Sequence, residues 1–271
     1  MEKIALPQKI EFVKGSGANN KQVIIEPCYP GYGATIGNAL RRVLLSSLPG
    51  AAVVGVKIKD ANHEFMTLPH VKEDILELVL NLKKLRLKVF SDEIVRIELD
   101  ARGEKEVKAS DIKKSSLVEI ANPDLILGHI TDMAGSLSME IFVSQGSGYV
   151  TVESREGAKN EIGYIEMDSI FSPVLAVGVN IENVRIGKMT NWDKLVLDLT
   201  TDGTIAPEEA FYKSVDILID QFNALVKKTD KKEDVETKTE KTEAEAEEVE
   251  EEVEEADEDK KSKKRGRPKK S

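Results

Sequence analysis

The chain has 271 residues, 39 basic and 49 acidic, a formal net charge of −10 and a single cysteine, Cys28. That length suffices for one or two domains with a core, and a lone cysteine excludes a disulfide framework and suits a reducing cytoplasm. No run approaches the roughly 18 consecutive apolar residues of a membrane span, and the opening MEKIALPQKI lacks the basic lead and long apolar stretch of a secretion signal.

In chain order, KIEFVK (9–14) and KQVIIEP (21–27) are short β runs joined by GSGANN, which predicts a hairpin. The stretch GATIGNALRRVLLSSLPG (33–50) predicts a helix over 35–48, with Thr35 as N-cap and Pro49-Gly50 as its stop. AAVVGVKIKD (51–60) reads as a strand. VKEDILELVLNLKKL (71–85) has Val71, Ile75, Leu78, Val79 and Leu82 at helical spacing, acids early and lysines late, as the helix dipole prefers. Alternation then predicts strands over 85–90, 93–101, 116–123, 136–152 and 173–187, and a last strand with a turn over 193–203. In 206–228, Pro207 at the first helical position and Glu208-Glu209 in the first turn mark a third helix. Many strand runs with three substantial helices give an α+β fold.

Two helices carry more apolar surface than one sheet can cover. In the last, Phe211, Val215, Leu218, Phe222 and Leu225 follow a 4-3-4-3 seam, with Ile217, Ile219 and Val226 beside it. In 35–48, Ile36, Leu40, Val43 and Leu44 form one side, and Leu45 and Leu48 extend it around the cylinder. A helix apolar nearly all round is normally buried on two sides, and the most economical second cover is another copy of the chain. Arg41 and Arg42 interrupt this surface about 100° apart, so they cannot serve one contact. Two readings stand: stems along apolar surface with heads in water, or one arginine holding the domain internally while the other docks onto a partner.

Sites for chemistry are scarce. His63, His70 and His129 are scattered without ligand spacing, and His63 and His129 read as structural histidines with partners. One cysteine cannot build a zinc site, and neither a nucleophile elbow nor a phosphate-cradling loop occurs. Asp198 and Asp202 flank a strand end without a base to pair with. The sequence predicts no catalytic residue, no cofactor and no metal in this chain.

GYGATIGNALRRVLLSSLPG (31–50) resembles the N-terminal assembly domain of bacterial RNA polymerase alpha subunits. HEFMTLPHVKEDILELVLNLKKL (63–85), GSGYVTVESRE (146–156) and the long stretch 163–211 follow the same family order, so the resemblance covers about 1–228. It implies a two-domain alpha-subunit N-terminal fold. A dimerisation domain comes from 1–50 and 173–228, and a mostly-β domain, 51–172, is inserted in it. Two copies pair through the helices at 35–48 and 207–228, and the homodimer is the platform for the beta and beta-prime subunits of a cytoplasmic, nucleoid-associated polymerase. By motif position Arg42 is similar to the arginine that family members need to hold beta, and Lys83 to a beta-facing lysine. Any nucleotidyl transfer belongs to the complex.

Composition breaks near Lys228. Residues 229–271 hold 17 acidic and 12 basic residues, no aromatic and only three valines, leaving 32 acidic and 27 basic in 1–228. So polar a stretch cannot bury enough surface to offset its ordering entropy, which predicts a disordered tail. Family members usually continue into a compact helical DNA-binding domain, which nothing after Lys228 is suited to form. The terminal KKSKKRGRPKKS follows a block, 243–259, in which 12 of 17 residues are acidic. Its RGRP core resembles an AT-hook. Arg265 and Arg267 would reach along the floor of A/T minor groove, Gly266 letting the backbone sit deep and Pro268 keeping it extended. The bland reading is a solvated charged end. A free-standing homodimeric scaffold with a DNA-tethering tail is the alternative to a polymerase subunit, and an enzyme with an unrecognised site is the third.

Overall fold

The structure, a computed structural model, describes residues 4–155 and 162–226. Its elements in order are β1 (Lys9–Lys14), β2 (Asn20–Cys28), α1 (Tyr32–Ser46), β3 (Pro49–Ile58), α2 (Ile75–Leu82), β4 (Leu87–Val89), β5 (Val95–Arg102), β6 (Lys105–Lys108), β7 (Val118–Ile120), β8 (Ile126–Ile130), β9 (Ser136–Ser147), β10 (Tyr149–Val150), β11 (Tyr164–Glu166), β12 (Ser169–Ile170), β13 (Val174–Ile186) and β14 (Met189–Thr201). A final helix, α3, covers 207–226. The fold is α+β, as the sequence predicts. The described residues divide into two units at Ile217/Leu218. No helix of the described residues is long and apolar enough to cross a membrane.

In the first unit, two antiparallel four-stranded sheets carry most of the structure. One, in the order β1-β2-β14-β13, joins the start of the chain to its late strands; the other, β11-β3-β9-β5, is built from the middle. The middle sheet obeys the period-two rule. Val95, Ile97, Leu99 and Ala101 of β5 face inward, opposite Leu137, Met139, Ile141 and Val143 of β9. They share one core with Ile75, Leu78, Val79 and Leu82 of α2. The outer sheet buries Val23 and Ile25 of β2 with Leu195, Leu197 and Leu199 of β14 on the face that α1 covers.

Several boundaries differ from expectation for local reasons. Helix α1 starts three residues early, because Gly31 takes a left-handed φ of 84° as its N-cap and so turns the chain where Thr35 was expected to. Thr35 lies inside the helix and donates to the Gly31 carbonyl at 3.4 Å. Pro49 and Gly50 do more than stop it, since they open β3. Helix α2 starts at Ile75, where Asp74 accepts the Glu77 N–H at 2.7 Å; Val71, which fits the helical spacing, instead bridges to Ile130. The predicted strand 136–152 breaks at Gly148 (φ 65°) into β9 and β10. Strands β6, β8, β11 and β12 carry too few alternating residues to stand out in the sequence.

Candidate functional site

Helix α1 lies unusually close to its sheet. A Cβ at Gly37 would come within 2.8 Å of Leu195 Cδ1 and 2.9 Å of Val179 Cγ1, so the backbone itself is the packing surface. The helix start is fastened from below. Asp193 of β14 is 8% exposed, and its Oδ2 accepts the N–H groups of Gly31 (2.9 Å) and Gly33 (3.1 Å). A carboxylate there meets unsatisfied helix donors and the positive end of the dipole. Its charge, after burial itself, pushes the Cys28 thiol up from its ordinary value.

The expectation that α1 is apolar nearly all round is corrected by this geometry. Leu40 and Leu44 point into the chain's own sheet and are buried, so neither can present surface to a second copy. Ile36 and Val43 are half-buried on one flank. The outward positions are Thr35, Asn38, Arg41, Arg42, Leu45 and Ser46, mostly polar. Arg41 and Arg42 are both exposed, and among the described residues neither guanidinium has an acidic partner. Among the described residues the stem-and-solvent arrangement therefore describes both.

The seam of α3 divides along its length. Phe211 is buried, edge-on to Phe12 of β1 at 5.8 Å, and so belongs to the chain's own core, a second correction to the predicted pairing face. The same end is pinned by the ion pair between Lys21 of β2 and Glu208. Val215 is half-buried. In the second unit, Leu218 is half-buried, whereas Phe222 and Leu225 are 61% and 64% exposed, with Ile219 and Val226 also bare. The uncovered grease foreseen for two helices is concentrated at the end of one.

Lys83, at the C-cap of α2, is half-buried beside Asp168, 3.7 Å away. Asp168 also accepts the Val152 N–H at 3.0 Å and the Tyr149 hydroxyl, and these bonds with the nearby lysine hold its carboxyl below the usual carboxylate range. Nothing in the sequence ties Asp168 to Lys83, 85 positions apart, because the two meet only in the folded chain. Arg265, Gly266, Arg267 and Pro268, and the tail as a whole, lie outside the described residues.

The histidines have structural partners. His129 Nδ1 is 2.5 Å from Glu73 Oε1, and Glu73 Oε2 accepts the His129 backbone N–H at 2.7 Å. His63 Nδ1 accepts the Phe65 N–H at 3.3 Å. Asp198 accepts from Asn20 (2.6 Å), tying β14 to the start of β2, and Asp202 from the hydroxyl of Thr204 (2.6 Å), closing a turn. Among the described residues no three His, Cys, Asp or Glu side chains group as metal ligands would.

Comparison with known proteins supplies the frame for this surface. Residues 56–172 match the family described as the RNA polymerase Rpb3/RpoA insert domain. The DNA-directed RNA polymerase subunit alpha of Carboxydothermus hydrogenoformans is 45% identical over 217 residues, covering 80% of this chain and 69% of that protein. Those of Desulforamulus reducens and Oceanobacillus iheyensis are 46% and 44% identical over 233 residues, covering 86% of this chain and 74% of each. Similarity of this extent, together with the α+β fold, makes the chain a member of the bacterial RNA polymerase alpha-subunit family.

Proposed function

We propose that the chain is the homodimeric platform on which the beta and beta-prime subunits of a cytoplasmic RNA polymerase assemble. One observation carries the reading: a family member leaves Phe222 and Val226 each 61% exposed at the end of α3, and clustered apolar side chains in water mark an interaction surface. Residues 1–50 and 173–228 form the dimerisation domain and 51–172 the insertion. The half-buried flank Ile36–Val43 of α1 and the open end of α3 meet their symmetry mates, closing an interface of at least ~2,000 Å². The outer face of α1 then remains for a large subunit. Arg42, exposed and without an acidic partner among the described residues, presents a planar donor fork to beta, and Lys83, half-buried 3.7 Å from Asp168, turns its remaining donors to the same subunit.

Capture of purified beta by the immobilised full chain tests the assignment. Arg42→Ala is expected to weaken capture by about 2 kcal/mol, the cost of leaving an interfacial charge partner unmatched, while sedimentation still reports a dimer. Undiminished capture by that variant would remove Arg42 from the interface.

The tail supports a second role. The RGRP core and its flanking lysines have the chemistry of a minor-groove tether that contacts A/T-rich DNA through Arg265 and Arg267, with the acidic block competing at low salt. Fluorescence anisotropy with the full chain is expected to show tighter binding to an A/T-rich duplex than to a G/C-rich one. Equal affinities that both vanish at moderate salt would reduce the tail to nonspecific charge.

A further inference from the structure

We infer that a cleft between β5, the segment 109–116 and the β4-β7 ribbon binds a small amphipathic anion, an apolar chain ending in a carboxylate. The cleft has a volume of about 510 Å³, within the range that takes small ligands. Backbone bonds set the spacing of its walls. On one side the Lys113 N–H donates to the Glu98 carbonyl of β5 at 2.8 Å, and Ile112 bridges to Leu99. On the other, the Phe90 N–H donates to the Leu117 carbonyl at 2.9 Å and so extends the ribbon. The Ser110 N–H, 3.0 Å from the Pro123 carbonyl, joins the two sides. The cleft is therefore preformed.

Its floor and rim differ in chemistry. Ile97, Ala109 and Ile112 line it and are buried members of the core shared by β5, β9 and α2, so the cleft reaches that core. Protein interiors are close-packed, and water on an apolar floor finds few hydrogen-bond partners. A hydrocarbon chain supplies the missing contacts. At the rim, Lys113 is already committed to Glu98 (2.9 Å) and Asp100 (2.6 Å). Glu119, the one acid among the lining residues, is paired in register with Lys88 across the ribbon, which offsets its charge. The Lys114 ammonium and the Ser110 and Ser116 hydroxyls also line the cleft and have no partner among the described residues. One uncommitted cation with two hydroxyls above an apolar floor suits a chain with a single negative head. A cationic head would meet Lys114 as a like charge, and a neutral one would leave it without a counter-charge.

The isoleucines of the floor give the site its own reporters. The full chain, labelled at its isoleucine δ1 methyls, is titrated with octanoate, octanol and octylamine and followed by NMR. The Ile97 and Ile112 resonances are expected to shift saturably with octanoate, at about tenfold higher affinity than with either comparator. Lys114 is exposed, so its variants should keep the thermal midpoint: Lys114→Arg should retain the preference for octanoate, and Lys114→Glu should transfer it to octylamine. Ser116→Phe, at the rim, should weaken octanoate about tenfold by narrowing the mouth. Octanol binding as tightly as octanoate, an unchanged preference in Lys114→Glu, or no saturable shift of Ile97 and Ile112 overturns the site. Shifts of these two methyls on assembly with purified beta and beta-prime, but not with octanoate, would overturn it too, by giving the cleft to a protein side chain.

Discussion

Glu73 illustrates how one side chain ties a loop to a strand. Burial pushes its carboxyl up, but the ring and backbone N–H of His129 outweigh this and leave it below its ordinary 4.5. A carboxyl depressed by folding stabilises the native state above that ordinary value, and the contribution is lost as pH falls through the folded value. Glu73→Gln is therefore expected to cost about 1–3 kcal/mol near neutrality. Thermal melts of the variant should flatten on the acid side, below about pH 4.5, where the wild type loses stability. The sequence indicates that His129 needs a partner, because a histidine among apolar neighbours usually has one. It does not indicate which of 49 acids supplies it, since the two residues lie 56 positions apart and meet only when the loop before α2 lies along β8.

Helix α1 depends on what its sequence omits. Gly33 and Gly37 weaken a helix by about 1 kcal/mol each relative to alanine, yet they let the axis approach β13 and β14 closely enough for Asp193 to reach the first-turn donors. Gly37→Val would drive a branched side chain into Leu195 and Val179, and overpacking of this kind is expected to cost about 1–3 kcal/mol net of improved helix propensity. Urea unfolding should show a lower midpoint with an unchanged slope. The helix itself was legible in the spacing of Leu40, Val43 and Leu44. Its faces were not: counting apolar residues around a cylinder cannot distinguish a stripe pressed on the chain's own sheet from one awaiting a partner. The glycines mark the buried stripe, and they carry no hydrophobic signal. Element starts failed for the same reason at Gly31 and Asp74, where one backbone conformation or one cap overrode a periodicity that runs on past it.

For the molecule, the exposed end of α3 is where the proposed pairing of copies is tested. Phe222→Asp places a charge in the centre of the proposed copy-to-copy contact and is expected to convert the dimer to a monomer at micromolar concentration, by sedimentation velocity, without unfolding Met1–Ile217. A variant that stays dimeric would move the interface elsewhere. Fold class and family were readable in the sequence, because several motifs keep one order over most of the chain and the comparisons agree. The division of the α3 seam was not, because a heptad has the same spacing whether its knobs enter a sheet, as Phe211 does, or remain exposed, as Leu225 does.

The pairing of β2 with β14 also has a consequence in time. Asn20 hydrogen-bonds Asp198 across 178 positions, whereas every strand of the β11-β3-β9-β5 sheet lies between residues 49 and 166. On a ribosome the first hairpin must wait, edge open, until nearly all of the described chain has emerged, while the middle sheet already has every strand it needs. Loop closure over so long a separation is slow. The order of synthesis thus favours early closure of the middle sheet, and the sheet that joins the start of the chain to its late strands is completed last.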